Sequence, residues 1–154
     1  MSDLIINQDL VKVGFKPQSQ VEAIKKMSNL LLDKKLVKNN YCQGLLDREK
    51  EFPTGLKGTN VSFAIPHTDA KYVNQTTIAV GILNNDVKFF SMNDHSKELD
   101  VKIIIMLAVK QPKKQVMVLQ NLVEMMQDNK LIGHLLEIEN KKEVVKIFKE
   151  HLDI

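Results

Sequence analysis

The stretch from Val101 to Val109 reads VKIIIMLAV, and from Ile103 onward it carries no polar side chain. It is far shorter than the roughly 20 apolar residues that cross a bilayer as a helix. A strand this apolar cannot turn either face to water, so it is expected at the centre of a sheet covered on both sides. That requirement points to an α/β arrangement in which the rest of the chain supplies helices for two faces.

Helix signals stand on both sides of the stretch. Ser19 followed by Glu22 is the pattern in which two side chains satisfy orphan amides of a first turn, and Val21, Ile24, Met27 and Leu31 then fall on one face. Asn40 with Gln43 repeats the pattern ahead of a helix from Tyr41 to about Lys50, with Tyr41, Leu45 and Leu46 as its apolar face. Pro112 suits the first turn of a helix whose apolar face is Val116, Leu119, Leu122, Val123 and Met126. After a short apolar segment, Leu131 to Leu136, Asn140 with Glu143 caps a last helix bearing Val144, Ile147 and Phe148.

Strand signals are fewer. Leu4 to Phe15 is apolar in patches and closes with Gly14 and Pro17, which is compatible with a short strand. Thr76 to Leu83 alternates as a strand does, and Asn84-Asn85-Asp86 reads as a turn into Val87 and Phe89, which predicts a hairpin. Ser91 to Leu99 is polar and reads as a loop containing His95. With no repeat, low-complexity tract or linker, the expectation is a single α/β domain over residues 1–154, a mixed central β-sheet flanked by helices.

Composition excludes several functions. Charged residues are 27% and hydrophobic ones 44%, the balance of a globular protein. Cys42 is the only cysteine, which leaves no internal disulfide or cysteine metal cluster and makes packing on a helix its expected role. The lysines behind the net charge of +3 are scattered among acids and aromatics are only 5%, so nucleic acid is not expected as a partner. The start, MSDLIINQDL, lacks a basic region followed by an apolar core, so no secretory signal is read and the cytoplasm is expected. His95, His134 and His151 lack the spacing of metal ligands, and neither a P-loop nor a Gly-x-Ser-x-Gly elbow is present. No metal or nucleotide cofactor is expected.

The reactive chemistry gathers where a short strand stops. Val61, Phe63 and Ile65 alternate with Ser62 and Ala64, and Pro66 removes the next backbone donor, so His67 stands in the loop just beyond. An imidazole held by Pro66 and followed by Thr68 and Asp69 is rigid, reachable and titrates near neutrality, which suits a nucleophile or a general base. On these residues alone, a histidine that merely ends a strand remains the alternative. Arg48 and Glu49 close the second helix, where the helix dipole favours a guanidinium without any function. Phe52-Pro53-Thr54-Gly55 then breaks that helix, and Gly58 marks a further turn.

The segment FAIPHTD, Phe63 to Asp69, resembles the active-site segment of enzyme IIA domains of the fructose/mannitol class in the bacterial sugar phosphotransferase system. LLDREKEFPTGL, Leu45 to Leu56, is similar to that family's Arg-Glu segment in type and distance. Phe-Pro-Thr-Gly and the stretch MLAVKQPKKQ look most like the galactitol-type branch. The resemblance covers nearly the whole chain, with its specific motifs between Leu45 and Gln115, and implies the fold of mannitol-type enzyme IIA.

The resemblance further implies that His67 accepts a phosphoryl group from the phosphohistidine carrier HPr and passes it to a cysteine of enzyme IIB. Membrane enzyme IIC then enters indirectly, for uptake of galactitol or a related sugar. The family places an arginine, here Arg48, close to the phosphorylated histidine; Thr54, Thr68 and Asp69 are lesser contacts, and Glu49 is taken as structural. Gln115 stands where mannitol-type members carry a second histidine, and an amide forms hydrogen bonds but does not titrate. If the strands ending at Ile65 and Val109 run parallel, both end at one edge of the sheet, with His67 facing the start of the Lys113 helix. A regulatory phosphoprotein like the nitrogen-related relatives, using the same histidine, is the alternative reading.

Overall fold

In the computed structural model, which describes residues 4–152, the apolar stretch lies in the third of five strands. The strands are β1 (Val11–Phe15), β2 (Gly55–Leu56), β3 (Ser62–Ala64), β4 (Thr77–Phe90) and β5 (Glu98–Ala108). The helices are α1 (Gln20–Asp33), α2 (Tyr41–Glu51), α3 (Pro112–Met125), α4 (Asn129–Glu137) and α5 (Lys141–Leu152). The sheet order is β1-β4-β5-β3-β2. β1 runs parallel to β4 and β3 parallel to β5, whereas β4–β5 and β2–β3 are antiparallel. The sheet is therefore mixed, as expected, and none of the described helices is long and apolar enough to cross a membrane.

β5 divides its side chains between two cores. Ile103, Ile105 and Leu107 join Ile78, Val80 and Ile82 of β4 beneath α3, α4 and α5, through Val118, Leu122, Leu135, Val144 and Phe148. Ile104, Met106 and Ala108 join Ala79 and Ala64 beneath α1 and α2, through Ile24, Met27, Leu31, Tyr41 and Leu45. Each large aliphatic side chain so buried contributes about 1.5–3 kcal/mol of transfer free energy. The second face is lined with small residues, which lets α1 lie close: a Cβ on Gly81 would sit 2.9 Å from Met27 Sδ.

Several local expectations are corrected. Asn84-Asn85-Asp86 does not reverse the chain but lies in a bulge of one long strand, since Ile82 pairs with Ile103 and Val87 with Val101. Asn85 Nδ2 donates to Pro17 O (2.8 Å), which ties the bulge to the entry of α1. The hairpin turns instead through residues 91–97, where Asp94 accepts from the Ser96 amide at 3.1 Å and Ser91 N–H bonds Lys97 O at 2.8 Å. Asn40 has φ −93° and ψ 6°, so its side chain caps nothing, and Gln43 donates to Asp47 instead. Glu143 likewise turns to His134, while the Asn140 side chain does cap α5, accepting from Lys142 N–H. Val21 is 44% exposed, Ala23 taking its place on the buried face of α1. On α3 the buried residues are Val118, Leu122 and Met125, while Val116 is 58% exposed.

Candidate active site

β3 ends at Ala64, yet its backbone pairing continues. Ile65 N–H donates to Thr54 O (3.2 Å), and Pro66, which has no donor of its own, accepts from Leu107 N–H (2.9 Å). His67 thus stands one residue past the last sheet contact, beside the C-terminal end of β5. Its Nδ1 lies 2.8 Å from Ile65 O. A carbonyl can only accept, so Nδ1 carries the proton and the neutral ring leaves Nε2 with a free lone pair. Burial holds His67 below its ordinary pKa; the Ile65 carbonyl works against that, and the charge of Arg48 adds to it. The half-buried imidazole is therefore neutral at neutral pH, the form a nucleophile needs.

α2 explains how Arg48 reaches this loop. Tyr41, Leu45 and Glu49 recur every fourth residue and form its buried stripe, and Arg48 lies about 100° around the helix from Glu49. Its Nη1 is 3.6 Å from Asp69 Oδ1, too long for a hydrogen bond, and its guanidinium lies 5.1 Å from the Phe52 ring centroid. These two contacts flank the fork without saturating it. Arg48, Asp47, Asp69, Thr68 and Tyr72 line a small polar cleft between α2 and the turn Ala70–Tyr72. Gly44 allows the approach: a Cβ there would meet the Tyr72 ring at 2.8 Å. This accounts for a glycine within a helix, where it costs about 1 kcal/mol relative to alanine.

Gln115, in the first turn of α3, donates from Nε2 to Thr68 O (3.1 Å). It thereby ties the helix start to the loop one residue past His67, in the parallel β3–β5 setting that the strand ends require. Thr68 is 4% exposed and Asp69 lies at the surface beside Arg48. Thr54 stands behind the site: it is 2% exposed, and its hydroxyl donates to Glu49 Oε1 at 2.7 Å. Glu49 Oε2 accepts from Thr54 N–H, also at 2.7 Å. Burial raises the Glu49 carboxyl above its ordinary pKa, against the lowering effect of both Thr54 bonds. The Glu49–Thr54 pair was hidden in the sequence; its available signal was the fourfold spacing that puts Glu49 on the stripe of Tyr41 and Leu45. The other histidines have different settings: His95 is exposed in the hairpin loop, His134 pairs with Glu143, and His151 Nδ1 lies 2.9 Å from Ile147 O.

Apolar surface lies near the loop. Met92, Val116, Leu119 and Val123 line a groove of about 400 Å³ along α3, starting one residue after Gln115. Phe52, beneath Arg48, is 51% exposed.

Known proteins share this chain's family and fold. Residues 4–151 match the family described as phosphoenolpyruvate-dependent sugar phosphotransferase system, EIIA 2. The PTS system galactitol-specific EIIA component of Escherichia coli strain K12 is 28% identical over 128 residues, 83% of this chain and 85% of that protein. The crystal structure of IIA mannitol from Escherichia coli has the same fold, with a TM-score of 0.77 at 23% identity over 93% of this chain and 98% of that one. So does the Escherichia coli complex of enzyme IIAMTL and phosphorylated enzyme IIBMTL, with a TM-score of 0.77 at 22% identity over 97% of this chain and 98% of that one. With the family match running through nearly all of its length, this chain belongs to the EIIA 2 family of the phosphoenolpyruvate-dependent sugar phosphotransferase system.

Proposed function

We propose that His67 is the phosphoryl carrier of this chain, loaded by phospho-HPr and unloaded onto a cysteine of enzyme IIB. The observation that carries the reading is the 2.8 Å contact between His67 Nδ1 and Ile65 O, which leaves Nε2 bare on a ring that feels the charge of Arg48. The Nε2 lone pair forms the new N–P bond while the donor's N–P bond breaks, its electron pair returning to the donor imidazole. Nδ1 keeps its proton, so the positive charge of the phosphorylated ring faces the Ile65 carbonyl. In the second half, a thiolate of enzyme IIB forms an S–P bond and the N–P pair returns to Nε2.

Phosphoryl transfer asks the protein mainly for positioning and for donors around the equatorial oxygens. Arg48 offers two N–H groups from its unsaturated fork, Thr68 and Asp69 adjoin it, and Gln115 holds the loop. The apolar groove on α3 and exposed Phe52 suit two protein partners met in turn. Kinship with a galactitol-specific component supports galactitol or a related sugar as the final acceptor, reached through membrane enzyme IIC. We place the relay in the cytoplasm.

The test is incubation with phosphoenolpyruvate, its protein kinase and HPr, followed by mass mapping and then by addition of enzyme IIB. Label on His67 that disappears in His67→Ala and moves to enzyme IIB is the expected result. Label on His95, His134 or His151, or label that survives His67→Ala, refutes the acceptor. Label that enzyme IIB cannot remove refutes the carrier role.

A further inference from the structure

Glu49 occupies a position on the buried stripe of α2 where leucine would pack, and it is 5% exposed. An acid removed from water needs compensating hydrogen bonds, and both its oxygens find them on a single residue, the amide and hydroxyl of Thr54 at 2.7 Å each. The contacts do not stop there. Thr54 O accepts from Ile65 N–H (3.2 Å), Pro66 O accepts from Leu107 N–H (2.9 Å), and Ile65 O holds His67 Nδ1 at 2.8 Å. Ile65 is thus held by its own amide through Thr54, its neighbour Pro66 is held by β5, and the Ile65 carbonyl is the group that selects the histidine tautomer.

We infer that Glu49 is a positioning residue for His67: by clamping Thr54 at two points it fixes Ile65, whose carbonyl keeps the proton on Nδ1 and Nε2 free. This rests on the reading of His67 as the phosphoryl acceptor. If Ile65 drifts, the bond to Nδ1 weakens and the proton can sit on Nε2 instead, where it occupies the lone pair that must reach phosphorus. A side chain serving packing alone would have no effect on that equilibrium. The role also depends on shape and hydrogen bonding rather than on charge. A glutamine fits it, since its carbonyl can accept the Thr54 amide and its NH₂ can donate to the Thr54 hydroxyl turned acceptor.

The experiment compares the full chain with Glu49→Ala, Glu49→Gln and Thr54→Val, reading ¹⁵N shifts of the His67 ring and the rate of labelling by phospho-HPr. The parent should show the Nδ1–H tautomer. Glu49→Ala should show a mixture and a rate lower by roughly fivefold to tenfold, the loss of one neutral hydrogen bond's worth of order, while Glu49→Gln keeps both within about twofold of the parent. Thr54→Val preserves shape and decides the matter if Glu49→Ala does not fold; it should shift tautomer and rate in the direction expected for Glu49→Ala. An unchanged tautomer and rate in either folded removal variant overturns the inference, and so does Glu49→Gln falling to the level expected for removal. Labelling of the parent at a residue other than His67 overturns the underlying reading instead, which mass mapping of the same samples reports separately.

Discussion

Replacing Arg48 by alanine separates a group that serves the phosphoryl state from one that serves the fold. The folded-state contacts are weak. The Asp69 carboxylate is 3.6 Å away and the two side chains are 37% and 60% exposed, an arrangement worth about 0–1 kcal/mol and less in salt. Stacking on exposed Phe52, at 5.1 Å, adds about 0.5–1 kcal/mol. Alanine's higher helix propensity offsets part of this in the last turn of α2. The net loss is then about 1 kcal/mol, or roughly 2–4 °C in melting temperature for a domain of this size. Transfer should suffer more. Charge-assisted hydrogen bonds to a phosphoryl oxygen contribute about 1.5–3 kcal/mol, which slows transfer by roughly tenfold to a hundredfold. Arg48→Lys should fall between, since it keeps the charge but loses the planar fork. Rapid-quench labelling by phospho-HPr and a thermal melt of the same preparations measure both sides. A melting temperature lowered by more than about 8 °C with transfer unchanged would return Arg48 to a structural role.

Gln115→Ala should slow transfer by roughly fivefold to tenfold through loss of the bond to Thr68 O. Gln115→His should retain transfer and acquire a pH dependence near neutrality, and unchanged kinetics in both variants sink the idea. Burial keeps the folded-state pKa of His67 low, so between that value and about 6.5 the unfolded chain binds more protons. Stability linked to His67 is therefore intact above pH 6.5 and is lost as pH falls below it; denaturant melts should show a steeper acid loss for the parent than for His67→Gln, and equal slopes contradict this. Tyr41 donates from a fully buried hydroxyl to Leu107 O at 2.9 Å. Tyr41→Phe should cost about 1 kcal/mol by calorimetry while labelling is unaffected, and an undiminished melting temperature would show that this bond adds nothing to stability.

What the sequence revealed and what it concealed divide along physical lines. The two-faced burial of β5 was legible because seven consecutive apolar side chains leave no face for water, and the place of His67 because proline cannot donate. The hairpin was misplaced because Asn84-Asn85-Asp86 has the composition of a turn. That composition disturbs strand pairing, but reversal depends on tertiary contacts, here Asn85 with Pro17, that no local pattern records. The caps of α2 and α5 show the same limit: Gln43 and Glu143 had better partners in Asp47 and His134. Within the site, the Arg-Glu segment was readable by resemblance. The Ile65 carbonyl, the feature that selects the tautomer, has no side chain to read, and Thr54, expected as a lesser phosphoryl contact, instead turns its buried hydroxyl to Glu49.

The rims of the sheet carry a further consequence. β2 offers two residues, and the outer side of Gly55 is already taken by Ser91 and by the amide of Met92, which donates to Gly55 O at 2.7 Å. A Cβ on Gly55 would stand 2.6 Å from Phe90 O, so the hairpin closes over this margin only because no side chain intervenes. At the opposite rim β1 is five residues long and broken by a register shift at Gly14, whose φ is +69°. Neither border presents the flat run of open amides and carbonyls on which a foreign strand can template itself. Encounters with other proteins are thereby confined to side-chain surfaces that can let go, which would keep the proposed relay from zippering permanently onto either of its partners.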